Sequence, residues 1–161
     1  MSKISFKVKA PPFSVNKAYY LKSYNSKTAT KIRTKECRDW GDGILLEIQP
    51  QKEEMIAFQK SFDEKKHALR INLVFGVPKE KFFTKAGHIS IASCDITNIE
   101  KLLVDVLFDE RFNGRALSGG LVSNLNINDK FIVQMVSTKV PSNDGYYIVI
   151  DVDMISNKEI L

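Results

Sequence analysis

Leu69-Arg70-Ile71-Asn72-Leu73-Val74-Phe75 places Leu69, Ile71, Leu73 and Phe75 on one side of the chain, the period of a strand with one face against a core. Gly76 and Pro78 close it. Further along, Asp95 to Leu107 carries the other period: Ile96, Ile99, Leu102, Leu103 and Val106 fall on one helical stripe. Asn98, Lys101 and Asp105 make a second, wholly polar stripe opposite it. Strand and amphipathic helix in one chain of 161 residues, 43% of them hydrophobic, predict a single α+β domain over residues 1–161, a small mixed sheet with helices packed on it.

Working outward, Ile4, Phe6 and Val8 alternate with polar residues and predict a first strand, stopped by Ala10-Pro11-Pro12. Pro12 to Lys31 shows no periodicity and reads as a polar loop. Thr34 offers an N-cap for a helix through Trp40, Ile44, Leu45 and Ile48, ended by Pro50, and Glu53 to Phe62 continues as a second helical piece. Lys79 to Gly87 reads as an exposed excursion. Residues 110–128, with Gly114, Gly119, Gly120 and several asparagines, read as a long loop. Phe131 to Thr138 and Tyr146 to Val152 are predicted strands. The turn between them, Pro141-Ser142-Asn143-Asp144-Gly145, has the chemistry of a hairpin. There is no internal repeat.

The net charge of +5 is unevenly spread. Residues 1–40 hold ten lysines and arginines against Glu36 and Asp39, which is +8, and the remainder carries −3. Basic groups interleaved with Phe13, Tyr19, Tyr20, Tyr24 and Trp40 suit contact with a phosphate backbone and some stacking; a solvated lysine-rich face reads the same way. No apolar run is long enough to span a bilayer, and the opening MSKISFKVKA has charges where a signal peptide needs an apolar stretch, so a soluble cytoplasmic protein without membrane partners is expected. Cys37 and Cys94 form no CxxC pair, His67 and His88 lie in no HExxH, and Gly119-Gly120 is not followed by Lys-Ser/Thr. Zinc, disulfide and Walker-type chemistries therefore find no support.

The chemistry-bearing segment is Asp95-Ile96-Thr97-Asn98-Ile99-Glu100-Lys101, with Asp105 on the same helix and Asp129 before the next strand. Carboxylates at a helix end and a strand start can converge into the hard oxygen set that Mg²⁺ takes, and such an ion polarises a phosphate and activates water. Lys101 would balance charge on the phosphate. The same residues also read as an N-cap at Asp95, an i, i+4 ion pair between Lys101 and Asp105, and a turn at Asp129.

The spacing Asp-x-x-Asn-x-x-Lys-x-x-x-Asp-x-Leu, standing as Asp95, Asn98, Lys101, Asp105 and Leu107, resembles the core motif of RusA-type Holliday junction resolvases. Pro11-Pro12-Phe13-Ser14-Val15-Asn16-Lys17-Ala18-Tyr19-Tyr20 is similar to the family's proline-rich opening, and Asn128-Asp129 to its acidic dipeptide before the last strands. The resemblance runs in order over nearly the whole chain. It implies a RusA-like fold, a homodimer, and Mg²⁺-dependent symmetric nicking of four-way or other branched DNA, with Mn²⁺ as an alternative ion. It also implies Asp95, Lys101 and Asp129 as catalytic residues, and Asp95 and Asp129 as metal carboxylates with Thr97 and Asp105 completing the set. The DNA-facing surface would hold Asn16, Lys17, Tyr19, Tyr20, Lys22, Lys31 and Arg33.

Two departures stand out. Thr97 occupies a position where the family usually has an aspartate, so Asp105, Asp109 or Glu110 would have to compensate. The segment between Leu107 and Asp129 is longer than the family's link and reads as a junction-binding element or a dimer contact. A branched-DNA binder that does not cut, and a small basic RNA- or protein-binding adaptor, are the competing readings. Richness in Lys, Asn and Ile fits an AT-rich bacterial or phage genome, which would put a phage protein in the host cytoplasm.

Overall fold

A computed structural model of the chain describes residues 2–11, 13, 19–25, 28–90, 96–117 and 119–160, with side chains left undescribed at 19, 21–25, 28–31, 97 and 98. Strand β1 (Lys3–Val8) leads to a two-stranded antiparallel ribbon, β2 (Tyr19–Asn25) and β3 (Thr28–Arg33), and then to helix α1 (Lys35–Ile48). A 3₁₀ turn at Gln49–Gln51 joins α1 to α2 (Lys52–Ser61), which is followed by β4 (His67–Pro78), the single turn α3 (Lys79–Phe82) and α4 (Ile96–Phe108). The chain closes with the short pair β5 (Gly114–Arg115) and β6 (Leu121–Val122), then β7 (Ile132–Ser142) and β8 (Tyr147–Ser156).

The main sheet has the order β1-β8-β4-β7. β8 runs antiparallel to both β1 and β4, while β7 runs parallel to β4, so the sheet is mixed. Alternation aims Ile4, Phe6 and Val8 of β1, Leu69, Ile71, Leu73 and Phe75 of β4, and Ile148, Ile150 and Val152 of β8 into one core. Ile44, Leu45 and Ile48 of α1, Met55 and Phe58 of α2, and Ile99, Leu103, Val106 and Leu107 of α4 complete it. The α+β architecture is therefore as the two periodicities predict, and the α4 stripe is buried apart from half-buried Ile96. Thr34 caps α1 as expected, its Oγ1 accepting from Cys37 N at 3.2 Å.

Three expectations are corrected. The predicted loop from Pro12 to Lys31 contains β2 and much of β3. The expected hairpin of the last two strands does not form, because β4 occupies the place between β7 and β8. Residues 143–146 instead cross the end of β4, with Gly145 at φ +80 making the turn. Gly76 belongs to β4 and is required there: it faces Tyr147 across the strands, and a Cβ would sit inside the Tyr147 ring.

The third correction concerns 110–128, which is packed rather than loose. Ala116, Val122, Leu125 and Ile127 are buried, and the segment satisfies carbonyls that the end of α4 leaves open. Asn124 Nδ2 donates to Val106 O at 3.0 Å and to Asp109 O at 2.8 Å, while Leu125 N donates to Leu107 O at 2.8 Å. Gln49 pairs with Ser123, accepting from its N–H at 2.9 Å and donating to its carbonyl at 2.8 Å, which ties the segment to the end of α1. The excursion after Pro78 is also partly ordered, since Phe82 is buried and stacks edge-on to Phe83.

Candidate functional site

Asp105 in the last turn of α4 and Asp109 just beyond its end put two carboxylates where the helix dipole is negative and acids are least welcome. Folding places two further acids beside them. Glu110 opens the next 3₁₀ turn, and Asp129 stands in a 3₁₀ turn capped by Asn128, whose side chain accepts from Lys130 N at 3.0 Å. Phe131, packed edge-on against Phe62 at 5.2 Å, anchors that turn. Asp105, Asp109, Glu110, Asn126, Asn128 and Asp129 line one open cleft of about 490 Å³. Asn126 reaches it in the left-handed conformation, φ 48, which asparagine tolerates better than most residues.

On the other side of Asp105 lies a second cleft of about 650 Å³, between α1, α4 and the 109–122 excursion. Arg33, Arg38, Lys101, Arg111 and Arg115 line it, with Asp42 and Asp105 as its acids and Ile32, Phe112 and Leu117 as its apolar wall. Arg33 belongs to both electrostatic environments. Its guanidinium lies 3.8 Å from the carboxylates of both Asp105 and Asp109 and 4.1 Å over the Phe112 ring. Burial pushes the Asp105 carboxyl above its ordinary range, an effect that Arg33 opposes and Asp109 reinforces. Asp109 is held below its range chiefly by a side-chain hydrogen bond from Arg111, with which it pairs at 2.5 Å.

The structure thus brings Asp105 and Asp129 to one cleft and Lys101 to its neighbour. It separates others. Thr97 and Asp105 are eight residues apart on α4, roughly 12 Å along the axis, so one ion cannot take both. Asp95 lies outside the described residues; Ile96, which follows it, opens α4 at the end opposite Asp129. Asn16 and Lys17 also lie outside. Tyr19, Lys22 and Lys31 are placed on the ribbon by backbone alone, and Tyr20 is exposed there.

The aromatic residues near the basic segment divide. Phe13 and Trp40 pack together with ring centroids 5.9 Å apart, and Trp40 donates to Pro11 O at 2.8 Å, so they fix the chain on α1 rather than offering a stacking surface. Cys37 is buried, and Cys94 lies outside the described residues. Asp109 and Glu110, weighed as replacements for the acid missing at Thr97, do line the cleft of Asp129. Arg111 and Arg115 were not singled out by sequence; their only signal is charge, and they meet Arg38, one of the ten basic residues of 1–40, through tertiary folding alone.

Carboxylate and amide oxygens with no sulfur or imidazole are the donor type a hard divalent cation takes. Among the described residues, however, no group of three or more His, Cys, Asp or Glu stands close enough to hold a metal ion. Among them also no helix is long and apolar enough to cross a membrane. No protein-family model matches the chain, and no curated protein matches it significantly.

Proposed function

We propose that the chain is a RusA-like, Mg²⁺-dependent endonuclease acting on four-way junctions or other branched DNA as a homodimer in the cytoplasm. The observation that carries the reading is the shared wall at Asp105: an acidic cleft suited to a divalent cation adjoins a basic cleft suited to phosphate. A phosphodiester lying across that wall would have its charge met by Lys101 and the arginines and its scissile bond beside the carboxylates. Asp105 and Asp129, with Asp109 and Glu110, would have to draw closer together than they stand to hold the ion, whose chemistry is to polarise the phosphate and activate water. Asp95 and Thr97 would act from the other end of α4. A two-fold dimer matches the approximate symmetry of a junction and would present one site to each of two opposed strands.

A second reading has its own observation. Arg33 already partners Asp105 and Asp109, which suits a protein that binds branched DNA without cutting it. Incubating the protein with a labelled four-way junction and a matched linear duplex, in Mg²⁺ or EDTA, separates the two. Paired nicks confined to the junction, lost in EDTA and in Asp129→Asn, are expected. Tight junction binding with no cutting would favour the silent binder, and neither binding nor cutting would refute both.

A further inference from the structure

Three of the five cationic residues of the basic cleft, Lys101, Arg111 and Arg115, lie outside residues 1–40, the basic segment that suits phosphate contact, while Arg33 and Arg38 lie within it. Arg111 and Arg115 come from the 109–122 excursion, and Arg38 and Lys101 come from two different helices. The arginine forks are held in place from behind: Arg111 by Asp109, and Arg115 by its Nε donating to Gly119 O at 3.2 Å. The excursion is pinned over α1, where the Asp42 carboxylate accepts from Leu117 N at 2.7 Å, and Phe112 lies under Arg33. Asp42 keeps its negative charge in that bond, and with Asp105 it stands against Arg33, Arg38, Lys101, Arg111 and Arg115, so the cleft is cationic by the excess of basic over acidic side chains.

The cleft wall is not purely polar. Ile32, Phe112 and Leu117 line it, and Leu117 keeps 60% of its surface exposed. Fixed guanidinium forks beside exposed apolar surface suit a ligand that carries phosphates and also sugar or base faces. Because Asp105 walls both clefts, a chain of repeating phosphates could run from one to the other, whereas a single small anion would fill only one.

We infer that the cleft formed by Arg38, Lys101, Arg111 and Arg115 seats the sugar–phosphate backbone of a DNA strand as it passes the acidic cleft, making the 109–122 excursion a DNA-binding element. The inference rests on the nuclease reading and deepens it by assigning a strand-binding subsite.

The test is a fluorescence anisotropy titration of a labelled four-way junction and a labelled single strand, in EDTA across a salt series, so that cutting plays no part. Arg115→Gln and Arg38→Gln should each bind both DNAs about three- to tenfold more weakly, with the log–log salt slope smaller by about 0.7–0.9. Arg115→Lys should restore the slope. A melting temperature within about 2 °C of wild type will show that these exposed substitutions leave the fold intact. Wild-type affinity and slope in both glutamine variants, alongside weakened binding by Lys22→Gln, would overturn the inference and leave DNA binding by the ribbon standing. Displacement of DNA by inorganic pyrophosphate at micromolar concentration would make the cleft a small-anion site and overturn it as well. If the wild-type protein binds neither DNA at low salt, the inference falls together with the nuclease reading.

Discussion

Replacing Asn124 with alanine removes the side chain that joins the end of α4 to the returning chain. Asn124 is 4% exposed, and its amide donates to two carbonyls, Val106 O at 3.0 Å and Asp109 O at 2.8 Å. The first bond is buried, so its loss orphans a carbonyl at a cost of about 1–3 kcal/mol. The second is partly exposed, water can replace the donor, and about 0.5–1.5 kcal/mol goes with it. Together these give a destabilisation of about 3 kcal/mol. In a domain of this size each kcal/mol lowers the melting temperature by about 2–4 °C, so a fall of roughly 6–12 °C is expected. Urea unfolding of wild type and Asn124→Ala, followed by far-UV circular dichroism, should show a lower midpoint at unchanged m-value. Asn124→Asp should be at least as damaging at neutral pH, because a carboxylate cannot donate to either carbonyl. A midpoint shift worth less than about 0.5 kcal/mol in the alanine variant would refute the account, since the 123–127 segment would then be held by something other than this amide.

Asp105→Asn should stabilise the protein at pH 7. Burial raises the Asp105 carboxyl above its unfolded value near 3.8, so the native state disfavours the ionised form and this group's contribution to stability falls as pH rises through that window. The asparagine variant escapes that cost while Asp109 still partners Arg33, so its melting temperature should exceed wild type at pH 7 and the difference should shrink as pH falls towards the unfolded value; a lower melting temperature at pH 7 would contradict the assignment. Asp109 works in the opposite sense, its stabilisation being present above 3.8 and lost as pH falls through its lowered value. Gly76→Ala should cost about 2–4 kcal/mol because the Tyr147 ring must vacate the space its Cβ needs; in the Tyr147→Ala background the same substitution should cost less than half as much. Equal costs in both backgrounds would show that the ring is not the obstacle.

What was legible in sequence follows from where each element finds its partner. β1, β4, α1 and α4 pack one face on a common core, and that burial writes periods of two and of 3.6 into their residues. Among the described residues the β2–β3 ribbon pairs only with itself, so little in its sequence has to alternate. In β7 and β8 the alternation shows which face is buried and is silent on which strand lies next door. The turn residues Asp144-Gly145 promised a hairpin, and their chemistry is as expected, but β4 pairs with both strands and takes the place between them. Residues 110–128 look like a loop because asparagines do the anchoring: Asn124 caps helix carbonyls that no hydrophobic pattern announces.

The candidate site was legible as a list of charges and illegible as a set of distances. The motif from Asp95 to Asp105 reads as one cluster along the sequence, yet helical rise spreads its part on α4 over most of the helix, and of its described polar side chains only Asp105 shares a cleft with Asp129. This relocation explains why Arg33 stands where it does. Two acids at the negative end of a helix dipole, one of them desolvated, require a cation, and the end of β3 supplies one. At 3.8 Å, Arg33 lies beyond hydrogen-bond distance of either carboxylate, so its own part is to offset their charge. Asp109, by contrast, is already held by the Arg111 guanidinium, whose Nε and Nη2 both donate to its carboxylate. Arg33 therefore does not by itself decide between a nuclease and a silent binder; the energy with which a divalent cation can draw Asp105, Asp109 and Asp129 together against that ion pair does.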